Sequence, residues 1–182
     1  MIQSYDLYLP THLVFGKGRI AELGNLIKGY GKKVLLAYGG GSVKRIGLYD
    51  EAKKILADSG CDVVELGGIA PNPKIESVLD CAKAIALGAN YDGDPWDLVK
   101  HPERVGKPLP VFDVITLAAT GSEYDLGGVI TNEETKEKLP VNGCFPVASI
   151  MDPEYTFTVP ANQTAAGVAD IVSHTFEQYF VR

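Results

Sequence analysis

A continuous apolar run, Val34-Leu35-Leu36-Ala37-Tyr38, passes directly into Gly39-Gly40-Gly41-Ser42. A strand with no polar face has to be covered on both sides, and parallel sheets flanked by helices provide that cover. Glycines straight after such a strand let backbone N–H groups approach a phosphate, and Ser42 adds a hydroxyl donor. A plain tight turn would use the same four residues.

The flanking sequence keeps the rhythm that a parallel sheet needs. Before the run, two short β-like stretches, Tyr5 to Leu9 and Leu13 to Phe15, are separated by Pro10. A helix is expected over Gly18 to Lys28, with Ile20, Leu23, Leu26 and Ile27 on one face and Gly29 at its end. Gly24 inside it costs about 1 kcal/mol against alanine. After the run, Leu48 to Asp58 is amphipathic and ends at Gly60, and Cys61 to Leu66 reads as the next strand. Strand, helix and strand in this order make a βαβ unit, hence an α/β fold with a parallel sheet. Beyond Pro71-Asn72-Pro73, the pattern predicts a helix over Ile75 to Leu87 and a capped turn at Asp94-Pro95-Trp96. Strands are expected at Val111 to Leu117, Gly128 to Thr131 and Ala148 to Met151. A long helix from Asn162 to Phe180 carries Ala165, Val168, Ala169, Val172, Phe176 and Phe180 as its apolar stripe.

Composition narrows the function classes. The net charge of -6 over 182 residues argues against binding nucleic acid or an anionic membrane through overall charge. With 46% hydrophobic residues the chain is rich enough for a packed core, and no apolar run approaches the length of a membrane helix. The first residues carry neither a cationic start nor an apolar core, so no secretory signal is visible. Cys61, Cys81 and Cys144 are odd in number and widely spaced, which predicts reduced thiols in a cytoplasmic protein.

Three polar constellations are candidates for chemistry. A dinucleotide site usually places Asp or Glu near a strand end for the ribose 2′-hydroxyl. Around the glycine run stand Ser42, Lys44 and Arg45 instead. Neutral donors and cations suit a 2′-phosphate, which points to NADP rather than NAD, although solvated loop charges would look the same. At the end of the most apolar strand, Thr116 and Thr120 are followed by Gly121-Ser122-Glu123. They could line a ribose or nicotinamide pocket, or close a turn by bonding their own backbone. On the terminal helix, Asp170 and His174 are four apart and share a face. That makes half of a first-row metal site or an ordinary surface pair. His12 and His101, the other histidines, have no spacing that joins them to it.

Taken together these segments resemble a family. Leu117 to Glu123, Asp152-Pro153 and the run Gly167 to Tyr179 are similar to the iron-containing (group III) alcohol dehydrogenases, most of all their NADPH-dependent butanol dehydrogenase and aldehyde reductase branch. Pro10-Thr11, Phe15 to Gly18, Tyr38 to Lys44, Gly67 to Ile69 and Pro71 to Pro73 agree in the same order. The resemblance implies a dehydroquinate synthase-like, parallel-sheet dinucleotide-binding domain over residues 1–159, then over 160–182 the first helix of an all-helical, metal-binding domain. It implies that Gly39, Gly40, Gly41, Ser42 and Lys44 sit at the adenosine end of NADP(H), with Thr116, Thr120 and Lys138 along the cofactor. Asp170 and His174 would be two ligands of a divalent metal, iron or zinc. The implied reaction is hydride transfer between NADP(H) and a primary alcohol or aldehyde, in a cytoplasmic homodimer with no nucleic acid or membrane partner.

The chain departs from the family pattern in two places. The family's second glycine motif, Gly-Gly-Gly-Ser-x-x-Asp-x-x-Lys, keeps only its tail here. Ser77, Asp80 and Lys83 match it, but Lys74-Ile75-Glu76 stands where the glycines belong. The expectation is an internal shortening near 76–77 that removes a helix and a strand, and with them part of the phosphate site. The remaining two histidine ligands of the family would lie past Arg182, so the chain is read as truncated and its own activity as very low. Two other readings stay open: a non-catalytic nucleotide-binding or dimerising fragment, and a polyol dehydrogenase or dehydroquinate synthase-type relative.

Overall fold

The computed structural model describes residue 6 and residues 8–69, 78–118 and 121–180. Strand β1 (His12–Phe15) leads through a 3-10 turn, Arg19–Glu22, into helix α1 (Leu23–Ile27), so the helix expected from Gly18 is split. Strand β2 (Lys33–Ala37) is followed by the short helix α2 (Ser42–Arg45), helix α3 (Leu48–Asp58) and strand β3 (Asp62–Leu66). Helix α4 (Val78–Gly88), helix α5 (Trp96–Lys100) and strand β4 (Phe112–Ile115) come next. The hairpin β5 (Gly127–Thr131) and β6 (Lys138–Asn142), strand β7 (Ala148–Met151) and helix α6 (Ala161–Phe180) complete the order. Of the β-like stretch at Tyr5 to Leu9, residues 5 and 7 lie outside the described residues, and Asp6, Tyr8 and Leu9 form no strand.

The parallel sheet is present, but it is parted. Strand β7 lies between β1 and β4, all parallel, with Val14 and Val114 both opposite Ile150. Strands β2 and β3 pair separately, also parallel, with Leu35 opposite Val64. Strand β4 is shorter than its apolar run because a ladder sets strand length. Its partner β7 ends at Met151, and among the described residues no strand pairs with its other edge. Strand β6 escaped the sequence reading because Pro140 sits in its middle. An edge position in a two-stranded antiparallel hairpin tolerates that proline.

Two clusters of buried side chains hold these pieces. Val14, Ile20, Leu23, Ile27, Leu48, Leu56 and Ile150 pack β1 and β7 against α1 and α3. Gly24 has its reason here. A side chain at that position would collide with Ser59 Oγ at the end of α3, so glycine lets the two helices approach. Ala86, Leu87, Leu98, Val99, Val111, Val141 and Cys144 form the second cluster, joining α4 and α5 to β6. Asp152 fastens the end of β7, where Oδ2 accepts the Gly18 N–H at 2.6 Å and Oδ1 the Glu154 N–H at 2.9 Å.

The deepest polar lock is Lys83. Its side chain is fully buried, and Nζ donates to the carbonyls of Ser122 (2.9 Å), Asp125 (3.0 Å) and Gly127 (2.8 Å) and to Asp125 Oδ1 (2.6 Å). Four acceptors share the three protons of one ammonium, so α4 is fixed to the whole 122–127 segment. Removing one partner of a buried, hydrogen-bonded charge is costly because the others stay buried and unmet. Lys83→Met is therefore expected to lower unfolding free energy by about 3 kcal/mol or more, read as a fall in the urea midpoint; an unchanged midpoint would contradict the lock.

Asp113 on β4 is the opposite case. Both its carboxylate oxygens are buried without a hydrogen-bond partner, and the nearby Ser149 hydroxyl gives its proton to the Glu123 carbonyl at 2.6 Å. Burial pushes the Asp113 carboxyl up to about 7. A carboxyl with a raised folded-state pKa contributes its stability below the unfolded value, near 4, and loses it as pH rises through about 7. The fall across that window is at most about 4 kcal/mol. Thermal melts from pH 4 to 8 are expected to show it, and Asp113→Asn should flatten the profile and raise stability at pH 8.

Candidate functional site

The loop after β2 is open to solvent on its glycine face. The Gly39 carbonyl accepts the Gly68 N–H at 3.0 Å, and the Tyr38 carbonyl accepts the Ile69 N–H at 3.3 Å, so the loop starts as an extension of the β2–β3 pair. None of Gly39, Gly40 and Gly41 has a left-handed φ. A Cβ at Gly40 would meet no atom within 4 Å, and one at Gly39 would find only ordinary contacts at 3.5 Å. Neither position needs glycine for the chain's own packing. What glycine leaves there is bare backbone beside open space, followed by the exposed Ser42 at the start of the four-residue helix α2.

Lys44 is turned toward aromatic faces. Its Nζ lies 5.1 Å from the Tyr38 ring centroid and 4.6 Å from that of Tyr49, and the two rings meet edge to face at 5.1 Å. Cation–π attraction thus holds one of the loop cations above a tyrosine pair. Beneath the pair stands Glu65, the penultimate residue of β3. Its Oε2 accepts from the hydroxyls of Tyr49 (2.7 Å) and Tyr38 (3.0 Å), and its Oε1 accepts from Lys53 Nζ (2.7 Å). Those bonds, Lys53 first, hold the Glu65 carboxyl down at about 2, and the same bond holds the Lys53 ammonium above its ordinary range. Sequence reasoning missed this carboxylate. The available signal was an acidic residue at the end of the second strand of a βαβ unit, one strand over from the glycines.

Of the residues singled out from sequence, Gly39, Thr116, Ser122 and Glu123 border one cavity. Gly39 follows the carboxyl end of β2 and Thr116 that of β4, and the cavity, of 610 Å³, lies between the two strands. Ligands of open α/β sheets gather at such strand ends. Asp80 is elsewhere: it is 1% exposed, accepts the Ser122 hydroxyl at 3.0 Å, and borders a separate hollow of 460 Å³ with Asp125 and Gly128. Lys138 opens β6, opposite Thr131, and is exposed. Ser77 and Thr120 lie outside the described residues.

The metal candidates stand on α6. His174 Nε2 is 3.6 Å from Asp170 Oδ1, and His174 Nδ1 is 3.6 Å from Glu177 Oε2, with all three side chains more than 60% exposed. Among the described residues, no three His, Cys, Asp or Glu side chains are grouped as a metal site would require. Two donors are half of what a divalent ion normally holds, so the residues present do not by themselves fit one. All three cysteines are unpaired, and burial raises the Cys81 and Cys144 thiols. No helix among the described residues is long and apolar enough to cross a membrane.

Known proteins resemble the chain along nearly its whole length. The profile of the family described as iron-containing alcohol dehydrogenase matches in two pieces, residues 10–79 and 76–153. The NADH-dependent butanol dehydrogenase A of Clostridium acetobutylicum is 48% identical over 202 residues, covering 97% of this chain and 52% of that protein. The NADPH-dependent aldehyde reductase YqhD of Escherichia coli is 38% identical over 209 residues, covering 100% of this chain and 53% of that one. Among solved structures, the NADH-dependent butanol dehydrogenase A of Thermotoga maritima superposes with a TM-score of 0.89 at 41% identity, covering 98% of this chain and 51% of that chain. The chain spans about half the length of the curated relatives it matches. Fold, profile and identity agree, and the chain belongs to the iron-containing alcohol dehydrogenase family.

Proposed function

We propose that this chain is the cofactor-binding part of an oxidoreductase that moves hydride between NADP(H) and a primary alcohol or aldehyde of the butanol and butyraldehyde type. The observation that carries the proposal is the bare backbone at Gly39 and Gly40, with open space beside Gly40, at the carboxyl end of a parallel strand. Close approach of a phosphate or ribose accounts for glycine at positions 39 and 40, where neither φ nor packing demands it. When bound, the nicotinamide ring supplies the hydride donor or acceptor. The chain's own residues bind and orient: the Gly39–Gly41 amides and Ser42 hold the adenosine end, and Thr116 offers a hydroxyl at the neighbouring strand end. Asp170 and His174 are proposed as two of the ligands of the family's metal, with the rest of the coordination coming from outside the described residues. A cytoplasmic homodimer completes the reading.

Preference for the 2′-phosphate rests on Lys44 and Arg45, and on the state of Glu65. Both Glu65 oxygens are taken by Tyr38, Tyr49 and Lys53, so it is engaged before any ribose arrives. A second reading, NAD(H), is favoured by the relatives at 44–48% identity that are named NADH-dependent. Fluorescence titration separates the two. NADPH is expected to bind more tightly than NADH, and Lys44→Ala is expected to weaken NADPH roughly tenfold while leaving NADH nearly unchanged, the loss of one charge-assisted contact. Tighter NADH binding, with NADPH favoured only in Glu65→Gln, would establish the second reading. In the assay itself, purified chain is expected to oxidise negligible NADPH with butyraldehyde. Chelator-sensitive turnover would show that the two α6 donors find their partners within this chain.

A further inference from the structure

The 610 Å³ cavity has the form of a place for one β-strand. Its walls are strands from two different sheets, since β2 belongs to the β2–β3 pair and β4 to the β1–β7–β4 sheet. Among the described residues each has one edge without a strand partner, and the lining runs continuously along both, Lys33 to Gly39 and Leu109 to Leu117. The edges start level. Tyr30, just ahead of β2, packs edge to face on Phe112, the first residue of β4, at 5.2 Å, and both strands run onward from that contact. Side chains from α3 on one side and α4 on the other, Leu48, Leu56, Ala82 and Ala86 among them, make the floor and roof apolar. Unpaired backbone on two facing edges, between apolar layers, suits an extended polypeptide better than water or a small ligand.

The comparisons show where relatives carry additional chain. An alignment of 202 positions to the Clostridium relative is longer than the 182-residue chain, so that relative carries a stretch this chain lacks. The two matched pieces of the family profile meet at residues 76–79, and Val78 lines the cavity with Cγ2 beside Gly39. A parallel strand placed just ahead of Val78 would leave the slot at its open, carboxyl-terminal end.

We infer that the slot between β2 and β4 is an acceptor for one extended, apolar β-strand supplied by a different polypeptide, not by a second copy of this chain, parallel to both edges and rejoining the two half-sheets into one. The inference rests on family membership but not on the cofactor reading. A strand of about six residues spans edges of this length at ~3.3 Å per residue. Its occupant is a polypeptide segment with β-branched and aliphatic residues on both faces, because both layers that would cover it are apolar.

The test uses the whole chain and a synthetic peptide copying the stretch of the Clostridium butanol dehydrogenase A that has no counterpart between residues 76 and 79. Saturable binding is expected, with a Tm rise of roughly 5 °C or more. Amide exchange should slow about tenfold or more on Val34 to Leu36 and on Asp113 to Ile115 together. A peptide with proline at the centre of its strand should lose both effects. Ala82→Phe, which fills the slot from α4, should abolish binding, and the wild-type exchange pattern decides the matter if that variant does not fold. Absence of binding, or protection of one edge alone, would overturn the inference. So would concentration-dependent protection without peptide, since a second copy would then be the occupant. Cofactor titration is read separately, so loss of either result does not decide the other.

Discussion

The buried Lys83 ammonium sets the arrangement of the carboxyl-end loops. By holding the carbonyls of Ser122, Asp125 and Gly127, it ties helix α4 to the segment that follows β4 and starts the β5–β6 hairpin. The Ser122 hydroxyl in turn bonds Asp80, one turn earlier on the same helix. The cost of burying a cation is met by carbonyl dipoles in fixed positions, which makes the segment specific rather than merely adherent. Thr116 and the residues after it reach the strand ends because this anchor holds the next segment.

Much of this was legible before any coordinates. The βαβ unit from β2 to β3 follows from apolar runs, a helix of 3.6 period and glycine ends, all local signals. The family assignment came from ordered motifs. What was not legible is non-local. Lys83 and Asp80 read as the tail of a phosphate motif, yet in the fold Lys83 is a fully buried anchor and Asp80 a buried acceptor. Glu65 was passed over because its partners, Tyr38, Tyr49 and Lys53, lie 12 to 27 positions away. Pro140 concealed β6, and Gly24 looked like a defect until Ser59 was placed beside it.

The parallel strands are held as two separate ladders. Each half retains its own ladder, and the first side-chain cluster bridges them through α1 and α3 rather than through backbone bonds. Hydrophobic contacts are non-directional, so they can hold two half-sheets at a distance that hydrogen bonds cannot span. The Tyr30–Phe112 contact closes one end and leaves the carboxyl-terminal end accessible.

Helix α6 has no buried residue along its length from Ala161 to Phe180, and Val168, Ile171, Val172 and Phe176 are all about half exposed or more. Its order therefore draws on backbone propensity and on local pairs such as Phe176–Phe180, not on a shared core. A twenty-residue helix under those terms obeys helix–coil statistics instead of an all-or-none transition. On heating, far-ultraviolet dichroism would lose the α6 signal gradually, frayed from the ends, before the aromatic environments of the sheet change. The two carboxylate and imidazole donors at 170 and 174 then share a face only for the fraction of time that this helix is formed.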